Sequence, residues 1–218
     1  MNESDIIFID NHLLAINKSA GRLVQKDATG DPSLLEDAKH HLKEIFGKPG
    51  NVYLGLIHRI DRPVSGLILF ARTSKAASRL SEQFRSGTPH KIYLAIAEGE
   101  LPDKGRWLDY ISRDGVTSRL AQKGEGKEAR LSFRRLKYNN GLSLVEIELE
   151  TGRHHQIRLQ FSSRGYPLLG DFRYGSKIKF GDRAVALHAH SLTLTHPTLN
   201  EKIKFTSEPE SFWSDYLS

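Results

Sequence analysis

The chain contains no cysteine, one methionine and two tryptophans among 218 residues. Without cysteine there can be no disulfide, no thiolate metal ligand and no sulfur nucleophile, so the chemistry must come from oxygen and nitrogen groups. Nor is there an apolar run near the roughly 20 residues a membrane-spanning helix requires. The opening MNESDIIFID is acidic where a secretory signal would be basic, and the expectation is a cytoplasmic protein without membrane contact. No repeat and no low-complexity tract interrupts the chain. Hydrophobic residues make up 38% and charged residues 27%, the composition of an ordinary folded protein. The length suits one domain, expected to span residues 1–218.

What the sequence does have is an excess of positive charge, +6 at neutral pH with histidine uncharged. Lysine and arginine gain entropy by releasing counterions from phosphates, so the charge admits a polyanionic partner without selecting one.

Local patterns give a coarse layout. IIFIDNHLLAINKS is two apolar runs around Asp10-Asn11, a pair suited to a hairpin turn. Ser33 caps a predicted helix with Leu34, Leu35, Ala38, Leu42, Ile45 and Phe46 at helical spacing and Gly47 at its end. GLILFA, residues 66–71, is short and continuously apolar, as a strand buried on both faces is. SKAASRLSEQFRSG reads as an amphipathic helix with a Ser cap, stopped by Gly87. HKIYLAIAEG alternates as a strand, and further strands are expected at 129–137, 143–150, 185–195 and 202–205. Residues 115–128 are polar and glycine-rich and read as an exposed loop. The class that follows is α+β with a mixed, mainly antiparallel sheet and a few flanking helices.

Two stretches carry unusual residue types. HRIDRPVSG, residues 58–66, sets Asp61 between Arg59 and Arg62 in a loop punctuated by Pro63 and Gly66. An ordinary turn-holding ion pair would account for it. HRID is not a kinase catalytic loop, because Ile60 intrudes and Gly66 stands where a metal-binding Asn would fall. No GxxxxGK[ST] phosphate loop is present, and no second carboxylate in a comparable loop supports a glycosidase pair.

The second stretch is TGRHHQIRLQFSSRGYPLLGDFRYG, residues 151–175. Thr151 is expected to cap a helical turn, with helical spacing from His155 to Arg164 and Gly165 as its stop. His154 and His155 are adjacent and should face different directions, poor geometry for a metal. His188 and His190 share a strand face but lack acidic or cysteine partners, so no metal site is expected.

HRIDRPVSGLILFAR, KIYLAIAEG, TGRHHQIR, GYPLLGDFRYG and LHAHSLTLTHP, in this order, resemble the successive motifs of RluA-type RNA pseudouridine synthases. INKSAGRLV is similar to that family's opening, with Ser19 where Pro is common. The resemblance runs from about residue 5 to residue 207 and implies the catalytic core without a separate N-terminal RNA-binding domain. The chain departs at Ile60, Pro63-Val64, His154 and Gln160, positions that bear on substrate choice more than on the reaction.

The resemblance implies isomerisation of uridine to pseudouridine in ribosomal or transfer RNA, a reaction that takes no cofactor and no metal. Asp61 is then the carboxylate at the ribose, which could stabilise positive charge, add to C1′ or take a proton from C2′. Arg158 would be its ion-pair partner, since a fixed cation beside a carboxylate favours the charged form, and Tyr93 would lie against the base. The target must leave the helical stack, which gives His58, Arg59, Arg62 and Arg153 a role as RNA contacts. The basic run Lys123, Lys127, Arg130, Arg134, Arg135 and Lys137 has an ordinary explanation as a solvated face. RNA is the expected partner and the chain is expected to be a monomer. An idle RNA-binding or ribosome-assembly protein on the same fold is the alternative, and a nucleoside hydrolase is disfavoured by the missing second carboxylate.

Overall fold

The computed structural model describes residues 3–47 and 49–216. Its strands are β1 (Ile6–Ile9), β2 (Leu13–Lys18), β3 (Gly55–Leu56), β4 (Ser65–Ala71), β5 (His90–Glu98), β6 (Lys104–Asp114), β7 (Thr117–Ala121), β8 (Lys127–Asn139), β9 (Leu142–Leu149), β10 (Leu187–Thr195) and β11 (Lys202–Thr206). Three α-helices accompany them: α1 (Leu34–Ile45), α2 (Ser74–Ser86) and α3 (Gln156–Ser162). The strand pairs described below are all antiparallel, which makes the class α+β as the residue patterns require. No described helix is long and apolar enough to cross a membrane. The chain divides into two compact units, Met1–Pro89 with Ala189–Glu208, and His90–His188 with Pro209–Ser218.

In the first unit the β1–β2 hairpin closes on Asp10, whose Oδ1 accepts from the His12 and Leu13 amides at 2.7 and 2.6 Å. That short-range bond is why Asp10-Asn11 turns the chain. β2 pairs with β4 from Leu13↔Ala71 to Lys18↔Gly66. All seven residues of β4 are buried, so its unbroken apolar run records two covered faces, with α2 packed on one of them. Gly66 sits at φ +110°, and a β-carbon there would lie 2.5 Å from the backbone N and O of Ala189 in β10. Only glycine admits that approach. β11 pairs with β10 from Ser191↔Thr206 to Thr195↔Lys202. Helix α1 buries Leu34, Ala38 and Leu42 and is capped by Ser33 as expected. The cap of α2 is Thr73 rather than Ser74, one residue earlier than the sequence suggests, and its Oγ1 accepts from the Ala76 amide at 3.2 Å.

In the second unit β5 pairs with β9, β9 with β8, β8 with β6, and β6 with β7. Trp107 of β6, Phe133 of β8 and Phe161 of α3 form an aromatic triangle with centroids 4.6, 4.8 and 5.9 Å apart, fastening the helix to the sheet. Near the C-terminus, Phe212, Trp213 and Tyr216 all pack on Phe180 at 5.0–5.3 Å.

The segment read as a loop, residues 115–128, is instead the tip of a β6–β7 hairpin, β7 itself and the start of β8. Of β7 only Ser118 is fully buried, so it lacks the alternation that betrays a half-buried strand. Helix α3 starts at Gln156, and Thr151 does not cap it. The Thr151 hydroxyl donates to Gln156 Oε1 at 2.7 Å and accepts from the Arg130 amide at 2.8 Å, tying the approach to α3 onto β8. His155 adopts φ +53°, and this left-handed turn brings the His154 and His155 rings into a stack at 3.8 Å rather than sending them apart.

Candidate active site

Asp61 lies in the loop between β3 and β4, half-buried, with its own carbonyl accepting from the Val64 amide at 3.1 Å to close the turn around Arg62-Pro63. The end of β2 and the segment after it fasten that turn. Lys18, fully buried, donates through Nζ to the carbonyls of Ser19, Arg22 and Arg62 at 3.1, 2.9 and 3.1 Å. The Gly21 amide donates to the same Arg62 carbonyl at 2.8 Å, and Arg62 Nε donates back to the Gly21 carbonyl at 2.9 Å. Arg62 also pairs with Asp31 at 2.6 Å, so the guanidinium expected at a phosphate is engaged in holding its own loop.

His58 works from the other side of the loop. Its Nε2 accepts from the Leu69 amide at 3.0 Å, which assigns the proton to Nδ1, and its ring stacks on Phe84 of α2 at 5.0 Å and 12°. Between these anchors Ile60 is buried and Arg59 is exposed. Among the described residues Arg59 has no ion pair or hydrogen bond, so its guanidinium is available to a ligand. The result is a short carboxylate-bearing loop fastened by side-chain-to-backbone bonds that span more than forty residues.

Lys18 is a residue sequence reasoning passed over, although it stands inside INKSAGRLV. A fully buried lysine is rare enough to be informative, but its burial is not legible from periodicity alone. In Lys18→Met three carbonyls lose a donor, the Arg62 carbonyl keeping the one from the Gly21 amide. The expected result is a loss of about 3 kcal/mol in denaturant unfolding together with at least a roughly tenfold loss of turnover, because the Asp61 turn loses an anchor.

The second unit holds the remaining candidates. Arg158, on α3, is buried and gripped in fork geometry by Asp171, Nε to Oδ2 and an Nη to Oδ1, both at 2.7 Å. Asp171 is 1% exposed and sits after Gly170, a position at φ +81° where a β-carbon would lie 2.5 Å from the Ala184 carbonyl oxygen. The Tyr174 ring lies 5.1 Å from the Arg158 guanidinium carbon. Its hydroxyl accepts from the Ser118 amide at 3.0 Å and bonds His155 Nδ1 at 2.8 Å. GDFRYG therefore supplies the clamp and the cover for Arg158, roles that the sequence did not disclose for Asp171 or Tyr174. The signal that could have found them is an acid and a phenol three residues apart after a glycine turn, thirteen residues beyond a helical arginine.

Tyr93 is half-buried on β5, opposite Ile147 of β9, on the same face as Lys91 and Ala95. Arg153 is half-buried, and its Nε donates to the Glu128 carbonyl at 2.7 Å. His188 is fully buried with its ring against Trp213 at 6.0 Å, and His190 Nδ1 bonds the Ser207 carbonyl at 2.8 Å. Much of the basic run on β8 is neutralised by acids. Arg130 pairs with Glu128 and Glu150, Arg134 with Glu146, and Arg135 with Glu100 and Asp103. That is the solvated, paired face that such a run ordinarily makes.

Residues 12–163 match the family described as RNA pseudouridylate synthase. The chain is 34% identical over 217 residues to ribosomal large subunit pseudouridine synthase D of Zymomonas mobilis, covering 94% of this chain and 68% of that protein. It is 33% identical over 232 residues to tRNA pseudouridine synthase C of Haemophilus ducreyi, covering 97% and 93%. Among solved structures, human RNA pseudouridylate synthase domain containing 4 shares the fold, with a TM-score of 0.81 at 23% identity over 97% of this chain and 90% of that one.

Proposed function

This chain belongs to the RNA pseudouridylate synthase family, and from that premise we propose that it isomerises uridine to pseudouridine in ribosomal or transfer RNA with Asp61 as the carboxylate at the target ribose. The reaction breaks the C1′–N1 bond, turns the base and joins C1′ to C5, after which the C5 hydrogen leaves. It is redox-neutral and consumes no water, so its chemistry calls for acid–base and electrostatic groups alone.

Cleavage leaves positive character on the sugar, and one fixed carboxylate can stabilise it, add to C1′ or accept the C2′ proton. The observation that carries this reading is the construction of the Asp61 loop. Lys18, Gly21 and His58 fasten its backbone, so the stretch of chain that bears the carboxylate is fixed before substrate arrives. Arg158 takes the part of counter-charge to Asp61, oriented by Asp171. Tyr93 takes the part of the phenol against the base, where it can stack and assist removal of the C5 proton. Arg59, exposed and without an ion pair among the described residues, is suited to fill the space that the flipped uridine vacates. Arg62 is assigned to the loop itself, given its bonds to Asp31 and Gly21.

Incubating the full chain with cellular RNA tritiated at uridine C5 tests the reading. Tritium should pass to water with no free uracil formed. Free uracil would instead mark hydrolysis of the glycosidic bond, and RNA binding without tritium release would mark an idle binder.

A further inference from the structure

Ser118 is the one fully buried residue of β7, the strand that ends its sheet and pairs with β6. An edge strand ordinarily leaves backbone amides to water. Here the Ser118 amide donates to the Tyr174 hydroxyl at 3.0 Å, and the Ser118 hydroxyl donates to the His154 carbonyl at 2.7 Å. That donation uses the only hydrogen the hydroxyl has, so its 2.9 Å bond with His154 Nδ1 runs the other way, with the proton on Nδ1.

The contacts continue inward. The His154 ring stacks on His155 at 3.8 Å and 24°, and His155, which is buried, bonds the Tyr174 hydroxyl through Nδ1 at 2.8 Å. This requires His155 at φ +53°, a conformation that a residue with a β-carbon adopts only where its surroundings enforce it. Tyr174 is thus held at its hydroxyl by β7 and by the turn before α3, while its ring packs on Ile111, Ala129 and Leu159 and its carbonyl accepts from the Ser162 hydroxyl of α3. Packing alone would be served equally well by phenylalanine. The hydroxyl is the part that needs a reason.

That reason lies at Arg158. Asp171 takes Nε and Nη2 in the plane of the guanidinium at 2.7 Å each, and the Tyr174 ring covers its face with 5.1 Å between the ring centre and the guanidinium carbon. The fork fixes the group in its plane and the ring limits its tilt, so together they decide where Nη1 points. We propose that His155 is a positioning residue for Arg158: with the Ser118 amide it locks the Tyr174 hydroxyl and so sets the tilt of the guanidinium. The inference rests on the reading of Arg158 as a counter-charge given above, and extends it to a residue that acts through Tyr174.

The test uses the full chain as wild type, His155→Gly, His155→Asn, Tyr174→Phe and the double variant of His155→Gly with Tyr174→Phe. Glycine adopts positive φ freely, so His155→Gly removes the imidazole without disturbing the turn, and Asn tolerates the same φ while offering a polar group near the place of Nδ1. Tritium release gives kcat and KM, and the Arg158 Nε–H signal in ¹H–¹⁵N spectra, assigned by its loss in Arg158→Lys, reports the guanidinium directly. His155→Gly and Tyr174→Phe should each lower kcat by about tenfold with KM within about twofold of wild type, and His155→Asn should lose less. The double variant should be no worse than about twofold below the poorer single variant, because both remove one support. In both single variants the Nε–H signal should shift. Turnover near wild type in both, losses that multiply in the double variant, a rise in KM in place of the fall in kcat, or an unmoved Nε–H signal would each overturn the proposal. Should the wild type release no tritium, the counter-charge reading fails, and the Nε–H signal alone then decides whether His155 holds the guanidinium through Tyr174.

Discussion

Asp61→Ala should abolish tritium release from C5-labelled RNA, lowering turnover by at least about 10³-fold while the protein stays folded and still binds RNA. The size of the effect follows from the chemistry: no other group in the proposed constellation can bear negative charge at the ribose. The folding expectation follows from the turn. The bond that closes it runs from the Val64 amide to the Asp61 backbone carbonyl, so alanine keeps it, and Lys18 and Gly21 still fasten the Arg62 carbonyl. Asp61→Asn, which preserves shape and removes charge, should be nearly as inactive. Either variant retaining more than about a tenth of wild-type turnover would remove Asp61 from the mechanism.

The second large effect is at Arg158, where catalysis and stability are entangled. Arg158→Met should lower turnover by at least an order of magnitude. It should also destabilise the fold by about 3–5 kcal/mol, because Asp171, 1% exposed, is left as a buried carboxylate without its guanidinium. A loss of activity in that variant would therefore be ambiguous by itself. The double variant Arg158→Met with Asp171→Leu separates the two effects. Replacing both members of a buried pair by apolar groups removes the orphaned charge, so denaturant stability should largely return. Turnover should not. Were activity to recover together with stability, Arg158 would be a structural residue and not a catalytic one.

How much of this was legible beforehand depends on the range of the forces involved. The Asp10-Asn11 turn, the apolar run 66–71 of β4 and the apolar stripe of α1 are set by neighbours a few residues apart, and pattern alone finds them. The cap of α2 was misplaced by one residue because Thr73 and Ser74 offer the same hydroxyl, and only backbone conformation distinguishes them. β7 was missed because most of it faces solvent, leaving no alternation to read. The stacked His154 and His155 were missed because a single residue at positive φ reverses the direction that helical or extended geometry would give.

The order of motifs along the chain was sufficient to identify the family and the α+β class and to single out Asp61 for the test above, since these are properties of identity and spacing. Tertiary structure decided what fixes those residues in place. Lys18 reaches Arg62 across 44 positions, Ser118 reaches Tyr174 across 56, and each bond exists only because strands far apart in sequence have paired or packed. Which cations are neutralised was decided in the same way. A lysine or arginine has the same charge wherever it appears in the sequence, whereas its availability to RNA depends on the carboxylates that folding brings beside it. Among the described residues Arg130 and Arg135 have such partners, and Arg59 makes no ion pair.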